Sequence, residues 1–96
     1  MSAALDLRTT HRPGGSVLIT ATGEIDMSNA ATLATALSAT TGSPVVVDLT
    51  GVEYIDSAGL AALFPHVDRL NLIATPLLEP VLTIAGLDDL TTIRDR

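Results

Sequence analysis

The stretch from Val45 to Leu60 constrains the fold most. Val45-Val46-Val47 opens a short, nearly continuous apolar run that ends at Asp48-Leu49-Thr50-Gly51. A run this short, rich in β-branched residues and closed by turn formers, reads as an interior strand covered on at least one face. Asp56 or Ser57 then opens a helix that carries Leu60, Ala61, Leu63 and Phe64. Pro65 ends or kinks it, because an interior proline removes a backbone bond at about 3 kcal/mol. Leu70-Asn71-Leu72-Ile73-Ala74-Thr75 reads as the next strand. A strand, a helix and a second strand make a parallel pair joined by a right-handed crossover. Such a crossover needs at least about 10–12 residues, and Ser57 to Arg69 just supplies them.

The rest of the chain extends this unit. Leu5-Asp6-Leu7-Arg8-Thr9 alternates like an edge strand, Pro13-Gly14-Gly15 signals a turn, and Val17 to Ala21 reads as a deeper strand antiparallel to the first. Gly23-Glu24-Ile25-Asp26 closes that strand. Ser28 is placed to cap a helix whose Leu33 and Leu37 lie one turn apart, with alanines widening the apolar stripe. Thr40 to Pro44 ends this helix. Pro80 suits the first turn of a third helix, Val81 to Ala85, stopped by Gly86. Leu87 to Ile93 forms a final short element, and Arg94-Asp95-Arg96 frays. The expected order is β-β-α-β-α-β-α: one α/β domain over residues 1–96, with a mixed four- to five-stranded sheet and helices mainly on one face.

Composition removes whole classes of function. A net charge of −6 and only five basic residues, which form no stripe, argue against nucleic acid and against an anionic membrane surface. The absence of cysteine excludes disulfides, thiol catalysis and cysteine-based zinc sites. Two histidines, His11 and His66, share no ligand spacing, so no metal and no cofactor is expected. With Tyr54 and Phe64 the only aromatics, the core must be aliphatic. No apolar run approaches the roughly 18 residues of a membrane span. No basic region precedes an apolar stretch at the N-terminus, and the expected location is cytoplasmic.

Chemistry concentrates at Asp56-Ser57. A hydroxyl beside a carboxylate at a helix N-terminus is a natural place for a phosphorylation switch, since phosphate adds about −1.5 to −2 charges and three strong acceptors. The plainer reading is a helix cap. Asp26 either joins that site or simply terminates a strand. Gly59 lets the helix pack closely on the sheet and can clear space for a partner. Thr50 and Gly51 read as turn residues. Asp88-Asp89 reads as solvated surface, because adjacent side chains point apart. A Ser57–His66 nucleophile pair lacks both a common helix and a G-x-S-x-G turn, so the chain is expected not to be an enzyme.

Three segments carry a resemblance to a known family: Gly23-Glu24-Ile25-Asp26, then Val47-Asp48-Leu49 through Tyr54-Ile55-Asp56-Ser57-Ala58-Gly59-Leu60, and Ile84-Ala85-Gly86-Leu87-Asp88-Asp89-Leu90. In these, and in their order, the chain resembles the STAS-domain, anti-sigma-factor antagonist family. The resemblance implies phosphorylation at Ser57 and a partner surface of Asp26, Asp56, Ser57, Ala58, Gly59 and Leu60. It implies an anti-anti-sigma factor whose unmodified form sequesters an anti-sigma factor that is also a serine kinase, freeing a sigma factor, with a phosphatase restoring binding. The chain departs from the family where Pro65 shortens the second helix. A STAS-like structural subunit of a bacterial lipid-transport ABC ATPase fits the same Asp-Ser-Ala-Gly-Leu turn, and a domain that only forms a homodimer fits the shortened helix.

Overall fold

A hairpin opens the chain. Strands β1 (Asp6–His11) and β2 (Val17–Ile25) pair antiparallel, with Asp6 opposite Thr22 and His11 opposite Val17. Helix α1 (Ala30–Ser38) leads to strand β3 (Val45–Ile55), helix α2 (Ser57–Leu63) to strand β4 (Leu70–Ala74), and helix α3 (Glu79–Ile84) to strand β5 (Thr91–Ile93). The computed structural model describes residues 4–40 and 42–94; Thr41 lies outside them, as do Asp95 and Arg96 of the expected frayed end, whereas Arg94, expected to fray with them, is held by its amide on the Ala74 carbonyl (2.7 Å).

The sheet order is β1-β2-β3-β4-β5, and every pair after the hairpin is parallel. Successive right-handed crossovers that always step the same way leave all their helices on one face. The burial pattern shows it. Val17, Ile19 and Ala21 of β2, Val45, Val47 and Leu49 of β3, and Leu70, Leu72 and Ala74 of β4 are all buried. Their alternate neighbours Leu18, Thr20, Val46, Asp48, Asn71 and Ile73 are not. Leu33 and Leu37 of α1, Leu60 and Leu63 of α2, and Leu82 of α3 complete one aliphatic core.

Strand β3 is longer than the sequence suggested. Thr50 and Gly51, expected in a turn, lie within it. Asp48 pairs with Thr20 but Gly51 with Thr22, and Val52 pairs with Gly23 but Tyr54 with Glu24. Each step inserts one extra residue, so eleven residues of β3 run beside nine of β2. These are two bulges. The buried positions accordingly shift from Val47 and Leu49 to Val52 and Ile55, three residues apart. Asp48 Oδ1 accepts from the Thr50 amide at 2.9 Å and its hydroxyl at 2.7 Å, a local turn pattern held inside a strand.

The helix ends have identifiable causes. Ser28 is not the cap of α1: Asn29 stands there, and Ser28 instead donates its amide and hydroxyl to Asp26 Oδ1. Pro65 cannot donate to the carbonyl of Ala61, so α2 stops at Leu63 and the chain tightens into a 3₁₀ segment, Phe64–Arg69. That segment completes the crossover. Helix α3 begins at Glu79, earlier than expected, with Pro80 in its first turn. Gly86 (φ 81°) ends it: the Gly86 amide donates to Thr83 and the Leu87 amide to Leu82, while Leu87 and Leu82 pack in the core. This is a Schellman closure, which needs a left-handed residue. The final element resolves into a 3₁₀ turn, Asp88–Leu90, and β5.

No basic residue lies in the last turn of α1. Arg69, 32 residues beyond Leu37, fills that place. Its Nη1 donates to the carbonyls of Thr40 (2.8 Å) and Ser43 (2.9 Å) and to Thr40 Oγ1 (2.9 Å), and its Nη2 to the Leu37 carbonyl (2.8 Å). Nη2 also meets His66 Nδ1 at 2.9 Å. A guanidinium only donates, so Nδ1 must accept and the ring is neutral with its proton on Nε2.

Burial first, and the Arg69 guanidinium second, lower the His66 pKa from its ordinary 6.5. The unfolded chain therefore binds a proton more readily there. The stabilisation is complete above pH 6.5 and is lost as pH falls through the lower folded value. Urea midpoints measured from pH 7.5 downward should fall below pH 6.5 more steeply in the parent than in His66→Gln.

Candidate partner-binding site

Asp56 organises the end of the sheet from which α2 departs. Its amide donates to the Ile25 carbonyl (3.1 Å), extending the β2–β3 pairing by one residue. Its backbone is extended, and its Oδ1 accepts from the amides of Ala58 (2.9 Å) and Gly59 (3.0 Å), capping α2. Its Oδ2 accepts from the Met27 amide at 3.1 Å. One carboxylate thus fixes the start of α2 and the loop after β2 at once, and those positions lie 29 residues apart in sequence.

Asp26 does the same work inside its own loop. Its carboxylate gathers Ser28, its amide donates to Asn29 Oδ1 (3.0 Å), and its carbonyl accepts from the amides of Asn29 and Ala30. Asn29 Nδ2 in turn holds the Glu24 carbonyl at 2.9 Å. The loop is a hydrogen-bonded scaffold, and it ends a strand as the plainer reading had it.

Ser57 is the exposed member of this cluster, and its hydroxyl makes no hydrogen bond among the described residues. Ala58 is half-buried. Gly59 and Leu60 are buried, so their side of α2 faces the sheet. A Cβ at Gly59 would sit 2.7 Å from both Ile25 Cγ2 and Ile55 Cγ1. The glycine therefore sets how closely α2 approaches β2 and β3, and through that the height of Ser57. Gly59→Ala gains about 1 kcal/mol in helix propensity but overpacks by about 1–3 kcal/mol. A net fall in the urea midpoint is the expected result.

Nothing in the sequence marks Met27. It is 83% exposed, beside the turn, with its amide held by Asp56. An exposed large apolar side chain on an anchored loop suits an interface anchor, and only tertiary structure brings it to Ser57. Tyr54, half exposed at the end of β3, is the nearest aromatic in sequence. His66 faces Arg69 beyond the far end of α2, so the structure does not pair it with Ser57. Asp88 and Asp89 are both exposed. Among the described residues no cluster of three or more metal-binding side chains occurs, and no helix is long and apolar enough to cross a membrane.

Two of the N-terminal amides of α2 are already taken by a carboxylate. Asp56 Oδ1 occupies those of Ala58 and Gly59, and the Leu60 amide bonds the Asp56 carbonyl. A dianion on Ser57 would stand beside the Asp56 carboxylate, which already holds the amides of Ala58 and Gly59.

Comparison with known proteins agrees with this architecture. No curated protein sequence matches the chain. Solved structures share its fold, two anti-sigma factor antagonists among them. A crystal structure of an anti-sigma factor antagonist from Mycobacterium paratuberculosis superposes with a TM-score of 0.81 at 24% identity, covering 97% of this chain and 87% of that one. The anti-sigma factor antagonist SpoIIAA in its unphosphorylated form gives 0.76 at 16% identity, covering 97% and 90%. The family model described as "Mlab, STAS domain" matches residues 9–92, from the first strand through the last. With its one-directional sheet, its helices on one face and that match over most of its length, the chain belongs to the STAS-domain family.

Proposed function

We propose that this protein is an anti-anti-sigma factor, a binding module switched by phosphorylation of Ser57. In its unmodified form it sequesters an anti-sigma factor that is also a serine kinase, so that a sigma factor is released. ATP and magnesium belong to that kinase, and a separate phosphatase resets the switch. The docking surface is built from the Asp26 loop with Met27, and from the Asp56-Ser57-Ala58 turn; Gly59 and Leu60 act from beneath by placing the helix.

One observation carries the reading. An exposed seryl hydroxyl with no hydrogen-bond partner among the described residues stands on a turn that Asp56 clamps in place. A kinase can reach it, and modification need not break the fold. Likeness of fold to two anti-sigma factor antagonists supports the same reading. The test is to incubate the protein with anti-sigma kinases from the same organism and ATP, then map the modified residue by mass spectrometry. Phosphate on Ser57, absent from Ser57→Ala, is the expected result; phosphate elsewhere, or undiminished labelling of Ser57→Ala, contradicts it.

A second reading, a STAS-like subunit of a lipid-transport ATPase, is favoured by Met27. An exposed apolar anchor serves a permanent interface as well as a switched one. Co-purification with an ATPase of that type, at an affinity indifferent to charge at residue 57, would select it.

A further inference from the structure

Among the described residues nothing pairs with the outer edge of β1, and its pattern fits a second copy of itself. The Arg12 amide donates to the Ser16 carbonyl (2.8 Å), and the Val17 amide turns the other way, to Pro44. Backbone groups alternate along a strand. Along β1 and the residue on either side of it, therefore, residues 6, 8, 10 and 12 bond inward, and Leu5, Leu7, Thr9 and His11 present their amides and carbonyls outward. Sheet edges are usually kept apart by proline, bulges, shortness or lysine. None of these interrupts β1: its six residues pair with β2 in unbroken register, with no proline and no lysine.

Charge selects among the registers that set Asp6 and Arg8 of one copy against those of the other. Antiparallel pairing of two β1 edges must set outward residues opposite outward residues, which an axis at any residue of the strand satisfies; axes at residues 6, 7 and 8 are the ones that bring these two side chains together. An axis at Asp6 sets Asp6 against Asp6, and one at Arg8 sets Arg8 against Arg8. An axis at Leu7 sets Leu7 against Leu7, Leu5 against Thr9, and Asp6 against Arg8 twice. Asp6 and Arg8 lie on the open face of the sheet, at side-chain exposures of 67% and 83%, where among the described residues a 3.8 Å contact with each other engages them. In the axial register they fall in closely spaced pairs, where opposite charges attract most.

We propose that β1 is a self-association edge: two copies join antiparallel about Leu7 into one continuous sheet, fixed by reciprocal Asp6–Arg8 pairs. The pairing uses no residue of the Asp56-Ser57 turn and stands independently of the function assigned to it. The dimer carries two such turns, with the helices of both copies on one face.

Sedimentation velocity over about 10 μM to about 1 mM tests this, at physiological salt, where screening acts over about 8 Å. The parent should pass from 9.9 kDa toward twice that mass. Thr9→Pro deletes an outward amide, which an edge strand tolerates; it should melt like the parent at low concentration yet stay monomeric. Asp6→Arg and Arg8→Asp should each weaken association by about tenfold or more, and the double exchange should restore it. A parent that stays monomeric throughout, a dimer that survives Thr9→Pro, or a double exchange no tighter than its single variants overturns the proposal.

Discussion

Replacing Arg69 by alanine is expected to lower stability by about 2–4 kcal/mol, the largest effect of any single surface-reaching side chain here. The guanidinium holds three backbone carbonyls, one hydroxyl and one imidazole. The carbonyls belong to the end of α1 and the turn into β3, and helix ends leave such groups without partners. Thr40 is buried, and its hydroxyl also donates to Leu37 (2.8 Å), so water cannot simply take the place of Arg69. In a domain of this size the loss corresponds to a melting temperature lower by about 10–25 °C. Arg69→Lys should recover little, because one ammonium cannot span acceptors that a planar fork reaches from two nitrogens. Differential scanning calorimetry of the three proteins checks the ranking.

The second large effect belongs to the proposed switch. Ser57→Glu should weaken partner binding strongly, phosphorylation more so, and Ser57→Ala hardly at all. The reason is local. In many proteins a phosphate at a helix N-terminus gains free amides; here Asp56 already holds those of Ala58 and Gly59. The added dianion would enter an interface beside one carboxylate, with the Asp26 loop next to it through the Met27–Asp56 bond. Burying charge against like charge without a cation is unfavourable by several kcal/mol. No arginine or lysine lies in segments 24–30 or 53–60 to offset it. A penalty of about 3 kcal/mol reduces affinity about a hundredfold. Far-ultraviolet circular dichroism should meanwhile be unchanged, since the Ser57 hydroxyl makes no hydrogen bond among the described residues.

The alternating order of strands and helices was legible because each element carries its own period. Leu33 and Leu37 share a helix face, and the hairpin is punctuated by Pro13-Gly14-Gly15. The second half of β3 was not legible. Two inserted residues break the period of two after Leu49, so Val52 and Ile55 no longer alternate with it. The Asp48–Thr50 turn pattern then imitates a strand end. Strand β5 escaped assignment because three residues between a 3₁₀ turn and the terminal segment carry no period at all. At the site, Asp56 and Ser57 could be read as adjacent helix-start residues. Met27 could not, because its place depends on a bond spanning 29 residues. Arg69 was likewise mute in sequence: a lone cation gives no hint that it will cap a helix some thirty residues upstream.

The most direct measurement compares one protein in two forms. Unmodified and Ser57-phosphorylated chains would be titrated by calorimetry into the anti-sigma kinase that modifies them, with Ser57→Ala as the uncharged reference. The account predicts tight binding by the unmodified and alanine forms and an affinity lower by about a hundredfold for the phosphorylated one. Equal affinity across all three would contradict it.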